Sequence, residues 1–500
     1  MQHFDVVIIG AGISGIGAAC HLQKHNPNKS FAILEARERS GGTWDLFKYP
    51  GIRSDSDMHT LGFNFKPWKA AKAIADGPSI KRYLNETIAE HDLEQHIHYS
   101  QKLKSSSWSS EQQAWTLKTQ SDDAYSCNFL MMCSGYYSYD KPYQPEFKGQ
   151  KDFQGTLIHP QHWPEDLDYA NKKVVVIGSG ATAMTLVPAM ADKAASVTMV
   201  QRSPTYVVSR PDEDAIANGL RKWLPSGMAY TLTRFKNTQL QKFMYKKMRT
   251  EPEKMKKALI GLVRKELNAD VDVDKHFTPN YNPWDQRLCL IPNGDLFNSI
   301  NEGKTKVVTD HIDCFTQTGV RLVSGEEIEA DILVTATGLN MEFLGGSQFD
   351  VDGKPVNFTD TLAYKGMMYT DVPNMIQTFG YINASWTLRA DLTAEYACRV
   401  INQMDSLGVT QCTPRLREAD LSMELRPWIE GFSAGYMERA MDSFPKQGST
   451  DPWRNTQNYA LDKKMIRNAP LEDGALVFGP SEQKFTHPGL ATPISTRDAA

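Results

Sequence analysis

The apolar positions of this chain gather into short, β-branched runs that end on glycines. Val6-Val7-Ile8-Ile9 leads into Gly10, Gly12 and Gly15, and small residues follow as far as Cys20. This pattern predicts a buried strand, a tight turn and a helix packed closely on the strand. A second apolar run, Phe31-Ala32-Ile33-Leu34, ends at Glu35, twenty residues past Gly15. The order strand, glycines, helix, strand, acid is that of a dinucleotide-binding unit. In such a unit Gly10 permits the turn, Gly12 lets backbone approach a pyrophosphate, and Gly15 lets the helix sit on the strand. Glu35 is placed to accept hydrogen bonds from ribose hydroxyls, and the helix N-terminus offers N–H groups to phosphate.

The same pattern returns later. Val174-Val175-Val176-Ile177 precedes Gly178-Ser179-Gly180-Ala181-Thr182, and the next strand, Val197-Thr198-Met199-Val200, ends in Gln201-Arg202-Ser203. Arg202 stands near the place that Glu35 holds in the first unit. A guanidinium there suits a 2′-phosphate, which a carboxylate would repel, so this unit is expected to favour NADP over NAD. Two more apolar runs close on glycine turns: Phe129 to Cys133 before Ser134-Gly135, and Ile332 to Thr335 before Ala336-Thr337-Gly338. A last strand-like run spans Met375 to Gly380. These orders predict an α/β protein of two Rossmann-like dinucleotide-binding domains, the second inserted in the first. Two dinucleotides held by neighbouring sheets could then face each other across a cleft, an arrangement suited to hydride transfer from a nicotinamide to a flavin.

Between Pro211 and about Pro283 the pattern changes to three- and four-residue steps. Leu220, Trp223, Leu224, Met228, Leu232 and Phe235 follow it, as do Met255, Leu259 and Leu262, and predict an inserted helical subdomain. From Arg221 to Glu266 this segment carries 13 Lys or Arg against three Glu. The ordinary reading is a solvated helical face; the sharper one is weak peripheral attraction to anionic lipid. A further helix is expected from Asp391 to Leu407.

Composition excludes more than it identifies. At 500 residues, with 41% hydrophobic and 23% charged residues, the chain has the ordinary globular mix and room for several cores. A net charge of −4 from 55 basic and 59 acidic side chains implies no nucleic-acid partner. The seven cysteines (Cys20, Cys127, Cys133, Cys289, Cys314, Cys398, Cys412) are scattered without a CxxC, which argues against a disulfide framework, a zinc ribbon and a dithiol centre. His91, His96 and His98 lie near Asp92, but without the spacing of a metal site, and none is expected. GxSxG is absent, so a serine hydrolase has no support. No run approaches the ~18 apolar residues of a membrane span, and no signal peptide fits the start. A reduced, soluble, cytoplasmic protein is expected, and the sequence does not indicate its oligomeric state.

Residues 153–164 satisfy FxGxxxHxxxW[P/D] at every fixed position through Phe153, Gly155, His159, Trp163 and Pro164. A second pattern, GxWxxxxYPGxxxD, is met by Gly42, Trp44, Tyr49, Pro50, Gly51 and Asp55. On these motifs the chain resembles the type I Baeyer–Villiger monooxygenases from its first residues to at least Gly338. The stretches Gly42–Phe47, His159–Tyr169, Tyr281–Cys289 and Phe444–Ser449 are similar to the ethionamide-activating branch and to flavoproteins associated with long-chain alkane use. The competing resemblance is to the flavin-containing N- and S-oxidising monooxygenases, which usually carry Tyr or Phe where Trp163 stands.

The resemblance implies FAD and NADPH as cofactors. It divides the chain into an FAD domain (1–144 and 341–500), an NADP domain (145–208 and 284–340) and the helical insertion (209–283). It further implies that NADPH reduces FAD, that O2 adds at flavin C4a, and that the peroxyflavin converts a linear or aryl-alkyl ketone to an ester. Sulfide or thioamide oxidation is the implied side activity. Arg287 matches the family's active-site arginine and Asp55 the carboxylate that orients it. A guanidinium keeps its charge at any physiological pH, as the stabilisation of a peroxyanion demands. The expected cofactor contacts are Gly10, Gly12, Ser14, Gly15, Glu35, Gly42, Thr43, Trp44 and Asp55, then Gly178, Ser179, Gly180, Ala181, Thr182, Arg202, Ser203, Thr337 and Gly338. Phe153, Gly155, His159 and Trp163 are expected at the linker between the domains, with a general-acid role for His159 the weaker reading. Gln286 departs from the family, where many members have a lysine that helps hold the 2′-phosphate, and this leaves Arg202 largely alone in that task. Two other readings stay open: an N/S-oxygenase with little ketone activity, and an NADPH–flavin reductase that transfers no oxygen.

Overall fold

The computed structural model of the protein describes residues 1–480 and 484–490. Its first sheet centres on the strand Gln2–Ile9, flanked in parallel by Phe31–Leu34 and Ala124–Met132. All four residues Val6–Ile9 are buried, as a strand covered on both faces requires. Met375–Gln377 pairs in parallel with the end of Ala124–Met132 and brings the C-terminal part of the chain back to this sheet. The antiparallel strands Leu103–Ser109 and Ala114–Thr119 extend one side. Against the sheet lies helix Ile13–His25, which packs on the long helix Trp386–Leu407. The helix also lies close on the strand because Gly15 has no side chain: a Cβ there would stand 1.8 Å from the Gly10 carbonyl oxygen.

The second sheet has five parallel strands in the order Thr305–Thr309, Ser196–Gln201, Lys173–Ile177, Ile332–Thr335, Thr156–Ile158. All of them fall between Met132 and Gln348, so the chain leaves the first sheet, completes the second, and returns. This is the two-domain α/β architecture that the paired glycine motifs predict. The two crossings are themselves joined: Tyr137–Pro142 on the way out pairs antiparallel with Leu339–Met341 on the way back. This ribbon and the helical segment link the two halves.

In the region of three- and four-residue periodicity the helices are Ala215–Trp223, Ser226–Thr250, Pro252–Glu266 and Val273–His276. In helix Ser226–Thr250 the apolar stripe does not form the core face, whereas in Pro252–Glu266 Met255 packs on the core beside Leu259. Leu259 is buried, but Trp223, Met228, Leu232, Phe235 and Leu262 are exposed. The buried side of Ser226–Thr250 is made by Ala229, Tyr230, Thr233 and Met248 instead. The three- and four-residue steps mark the helices but not the side that is buried.

The three clustered histidines serve packing. His96 stacks on Phe31, His98 meets Phe4 edge-on, and His91 meets Phe65 edge-on. Among the described residues no group of His, Cys, Asp and Glu could hold a metal ion, and no helix is long and apolar enough to cross a membrane.

Candidate active site

A single cleft begins at the first glycine motif and runs to Arg287. Gly10, Gly12, Ser14, Glu35, Gly42, Thr43, Trp44 and Asp55 all line it. Gly15 lies beneath, at the contact between helix and strand. Glu35 holds the motif together: its Oε2 accepts from the Ala11 N–H at 2.7 Å and its Oε1 from the Arg37 N–H at 2.9 Å. Each carboxylate oxygen keeps a lone pair for a ribose hydroxyl. Burial pushes the Glu35 carboxyl up from its ordinary value, and the two backbone donors oppose that shift. Nearby, the wholly buried Asp45 binds Arg37 and Lys81, which fixes the short helix Thr43–Leu46 that carries Thr43 and Trp44. A nucleotide fits this cradle, with open backbone at the glycines and an acid at the end of the second strand.

At the far end, Arg287 donates from Nη2 to Asp55 Oδ2 at 2.6 Å and from Nε to the same oxygen at 3.1 Å. The two side chains come from segments 232 residues apart. The Asp55 charge beside it holds the Arg287 guanidinium well above its already high ordinary pKa. About a third of each side chain remains open to the cleft. An aromatic wall completes this end. Tyr136 stacks on Trp386 with ring centres 5.1 Å apart, Phe379 packs on both, and Tyr436 and Met437 line the opening. The Trp386 indole N–H donates to the Ser14 hydroxyl at 2.8 Å and ties the wall to the first turn of the glycine-motif helix.

None of these aromatic residues was singled out by sequence reasoning. Tyr136 directly follows Ser134-Gly135, the glycine turn that closes a predicted strand, and that position was the available signal. Trp386 starts a helix and Tyr436 sits in the four-residue helix Gly435–Glu438, with no motif around either.

The second glycine motif is not part of this cleft. Gly178, Ser179, Gly180, Ala181 and Thr182 lie where strand Lys173–Ile177 enters helix Ala181–Ala191. A Cβ on Gly180 would meet nothing within 4 Å, so the space before the helix N-terminus is open. The Ser179 hydroxyl donates to the Ser203 carbonyl at 3.2 Å, which sets the Arg202–Ser203 turn beside the motif. Arg202 itself is exposed and has no ion-pair partner among the described residues. A second dinucleotide, with a terminal phosphate at Arg202, fits this edge.

The fingerprint residues frame the ribbon between the sheets. Gly155 leads into the edge strand Thr156–Ile158; a Cβ on it would press to 2.4 Å from the Asp331 carbonyl oxygen, and Phe153 packs alongside. Just past that strand, Gln161 donates to the carbonyls of Ser138 and Tyr139, each at 2.8 Å. Thr337 donates to the Tyr143 carbonyl at 2.8 Å, and Gly338 turns the chain with φ +113°. His159 lies against the backbone of Gly338 and Tyr143, and Trp163 packs on the core of the second sheet.

Burial pulls the His159 pKa down from its ordinary value to about 4. The neutral ring is therefore the folded form, and the unfolded chain binds the extra proton between about pH 6.5 and 4. His159 should contribute stability above that window that is lost as pH falls through it, up to about 3 kcal/mol at the low end. His159→Gln should accordingly lose less of its urea midpoint between pH 7 and 5 than the parent does. An equal loss in the two proteins would contradict this.

Residues 7–242 match the family model described as pyridine nucleotide-disulphide oxidoreductase. The "FAD-containing monooxygenase EthA" of Mycobacterium tuberculosis is 54% identical over 481 residues, covering 95% of this chain and 98% of that protein. The chain belongs to the FAD-containing monooxygenases. The "Probable FAD-binding monooxygenase AlmA" of Acinetobacter baylyi is 47% identical, covering 95% and 96%. In fold, the monooxygenase is similar to an oxidised steroid monooxygenase bound to NADP (TM-score 0.77, 19% identity, 96% of this chain and 100% of that one). It is also similar to a cyclohexanone monooxygenase with bound ε-caprolactone (TM-score 0.74, 20% identity, 96% and 100%). The disulphide chemistry in the family model's description requires a reactive thiolate. All seven cysteines are free and buried, and burial raises the Cys133 and Cys412 thiols to about 12, far from the thiolate that such chemistry needs.

Proposed function

We propose that this monooxygenase converts ketones, linear aliphatic or aryl-alkyl ones preferred, to esters by Baeyer–Villiger oxidation, with S-oxidation of sulfides and thioamides as a side activity. FAD and NADPH are its cofactors. The overall reaction takes ketone, O2, NADPH and a proton to ester, water and NADP+. The observation that carries this reading is the Arg287–Asp55 pair at the end of a cleft that starts at the Gly10–Gly15 motif. Bound FAD, once reduced, supplies the oxygen-transferring chemistry.

The remaining work falls to the chain's own residues. Glu35 and the glycine motif hold the adenosine and pyrophosphate end. Trp386, pinned by Ser14, and Tyr136 form an apolar wall that orients the substrate and keeps water away from the reacting carbonyl. Arg287 presents a permanent positive charge to the oxyanion that develops on the carbonyl oxygen when carbon is attacked. Its companion Asp55 limits the poses the guanidinium can adopt and is a positioning residue. Arg202 and the open helix start at Gly180 hold the NADPH phosphates. Gln161, Thr337 and His159, neutral and buried, connect the ribbon to the second sheet, so that NADPH binding can bear on the cleft.

Turnover with a long-chain methyl ketone and, separately, a thioether tests the reading. Ester should accumulate in near-equal amount to NADPH consumed, with sulfoxide formed more slowly. Sulfoxide without ester would place the protein with the N/S-oxygenases, and hydrogen peroxide alone with the reductases.

A further inference from the structure

Helix Ser226–Thr250 has two apolar faces, and among the described residues only one of them has a partner. Its inner face is anchored: the Tyr230 hydroxyl donates to the Phe63 carbonyl at 2.8 Å, Arg234 donates to the carbonyls of His59 and Gly62 at 2.9 and 2.8 Å, and Asn237 donates to Asp57 at 2.9 Å. The outer face carries Met228, Leu232, Phe235 and Phe243, with Gln239 completing the helical spacing. Phe235 is 64% exposed and Phe243 56%, and Trp223, at the end of the preceding helix, is 87% exposed. Solvent-facing aromatic and aliphatic groups in one stripe are costly to leave uncovered and mark a surface that meets something else.

Charge decides what that is. Lys222, Lys242, Lys246, Lys257 and Lys265 are exposed and have no ion-pair partner among the described residues. Residues 221–266 carry +10 (13 basic against three acidic), whereas the whole chain carries −4, which leaves −14 for everything else. A second copy docked by a twofold axis would set +10 against +10. An anionic surface attracts this face and repels the remainder, so it also orients the molecule. An apolar stripe with large aromatic groups, rimmed by lysines, has the make-up of a helix that lies in a bilayer interface. We infer that the outer face of Ser226–Thr250, with Trp223, docks on an anionic lipid bilayer, the side chains of Trp223, Phe235 and Phe243 entering the headgroup region. This is independent of the substrate class.

The test is co-sedimentation of the FAD-loaded protein with phosphatidylcholine vesicles and with vesicles that also contain a third phosphatidylglycerol. The parent should bind the anionic vesicles roughly tenfold or more tightly than the neutral ones, and high salt should erase the difference. Lys242→Glu with Lys246→Glu should lose that preference. Trp223→Ser with Phe235→Ser should lose binding to both vesicles roughly tenfold or more, with flavin content and melting temperature unchanged. Equal binding to the two vesicles, or binding unaffected by either double substitution, would overturn the inference. So would a lipid-free dimer that Trp223→Ser with Phe235→Ser dissociates, since the face would then belong to a second copy.

Discussion

Arg287→Ala is expected to abolish ester formation while leaving NADPH oxidation in place. The guanidinium stands at the end of the cleft away from the glycine motif, and its two hydrogen bonds go to Asp55 rather than to Glu35 or the glycine turn. Its loss therefore spares FAD and NADPH binding and removes the positive charge at the reacting carbonyl. Deleting one oxyanion-stabilising donor costs about two to three orders of magnitude in rate. Here the loss should be at the upper end, because removing Arg287 also leaves Asp55 as an unpaired negative charge facing the developing oxyanion. NADPH consumption should continue, its electrons appearing as hydrogen peroxide. Arg287→Lys should recover a fraction of the ester, since an ammonium supplies charge without the two-point hold of the guanidinium. Asp55→Asn, which keeps the shape but not the charge, should lower the ester yield per NADPH more than it raises the KM for ketone. Steady-state rates with ester and peroxide measured in the same reactions check all three. Full ester yield from Arg287→Ala would remove that residue from the mechanism.

Arg202→Ala should raise the KM for NADPH by roughly ten- to a hundredfold and change that for NADH by less than about twofold. The size follows from a charge-assisted hydrogen bond to phosphate, worth about 1.5–3 kcal/mol. The selectivity follows from position. Arg202 is at the end of strand Ser196–Gln201, beside the Ser179–Ser203 contact, where the 2′-substituent of a dinucleotide on the second motif would lie. Gln286 offers no charge to share the load. Equal effects on the two nucleotides would refute the phosphate role. With Gln286 where many relatives have a lysine, the parent enzyme should still use NADH measurably, which the ratio of kcat/KM values for the two nucleotides checks.

The parts of this molecule written in neighbouring residues could be read before any fold was in view. Four apolar residues before Gly10 and four before Gly178 each form a strand, because a β-branched run closed by a glycine turn has few alternatives. Phe31–Leu34 ends at Glu35, whose carboxylate turns back to bind Ala11. Arg287 and Asp55 could be paired only through resemblance, since nothing local connects residues so far apart. The aromatic wall was out of reach for the same reason. Tyr136, Trp386 and Tyr436 arrive from three separate segments, and each is an ordinary aromatic residue in its own stretch of chain. Periodicity located helix Ser226–Thr250 but could not choose its inner face, because both faces are apolar. The buried side was settled by tertiary hydrogen bonds from Tyr230, Arg234 and Asn237 to the segment 57–63, which no pattern within the helix announces. The ribbon of Tyr137–Pro142 and Leu339–Met341 was hidden likewise, as it pairs two linkers with no shared motif.

The central claim is that oxygen taken from O2 is inserted next to a ketone carbonyl under the charge of Arg287. Turnover of a methyl ketone under 18O2 in ordinary water tests it most directly, with the ester examined by mass spectrometry. The account predicts one 18O atom per ester from the parent protein and no labelled ester from Arg287→Ala. An unlabelled ester, or labelled peroxide with no ester from the parent, would contradict it.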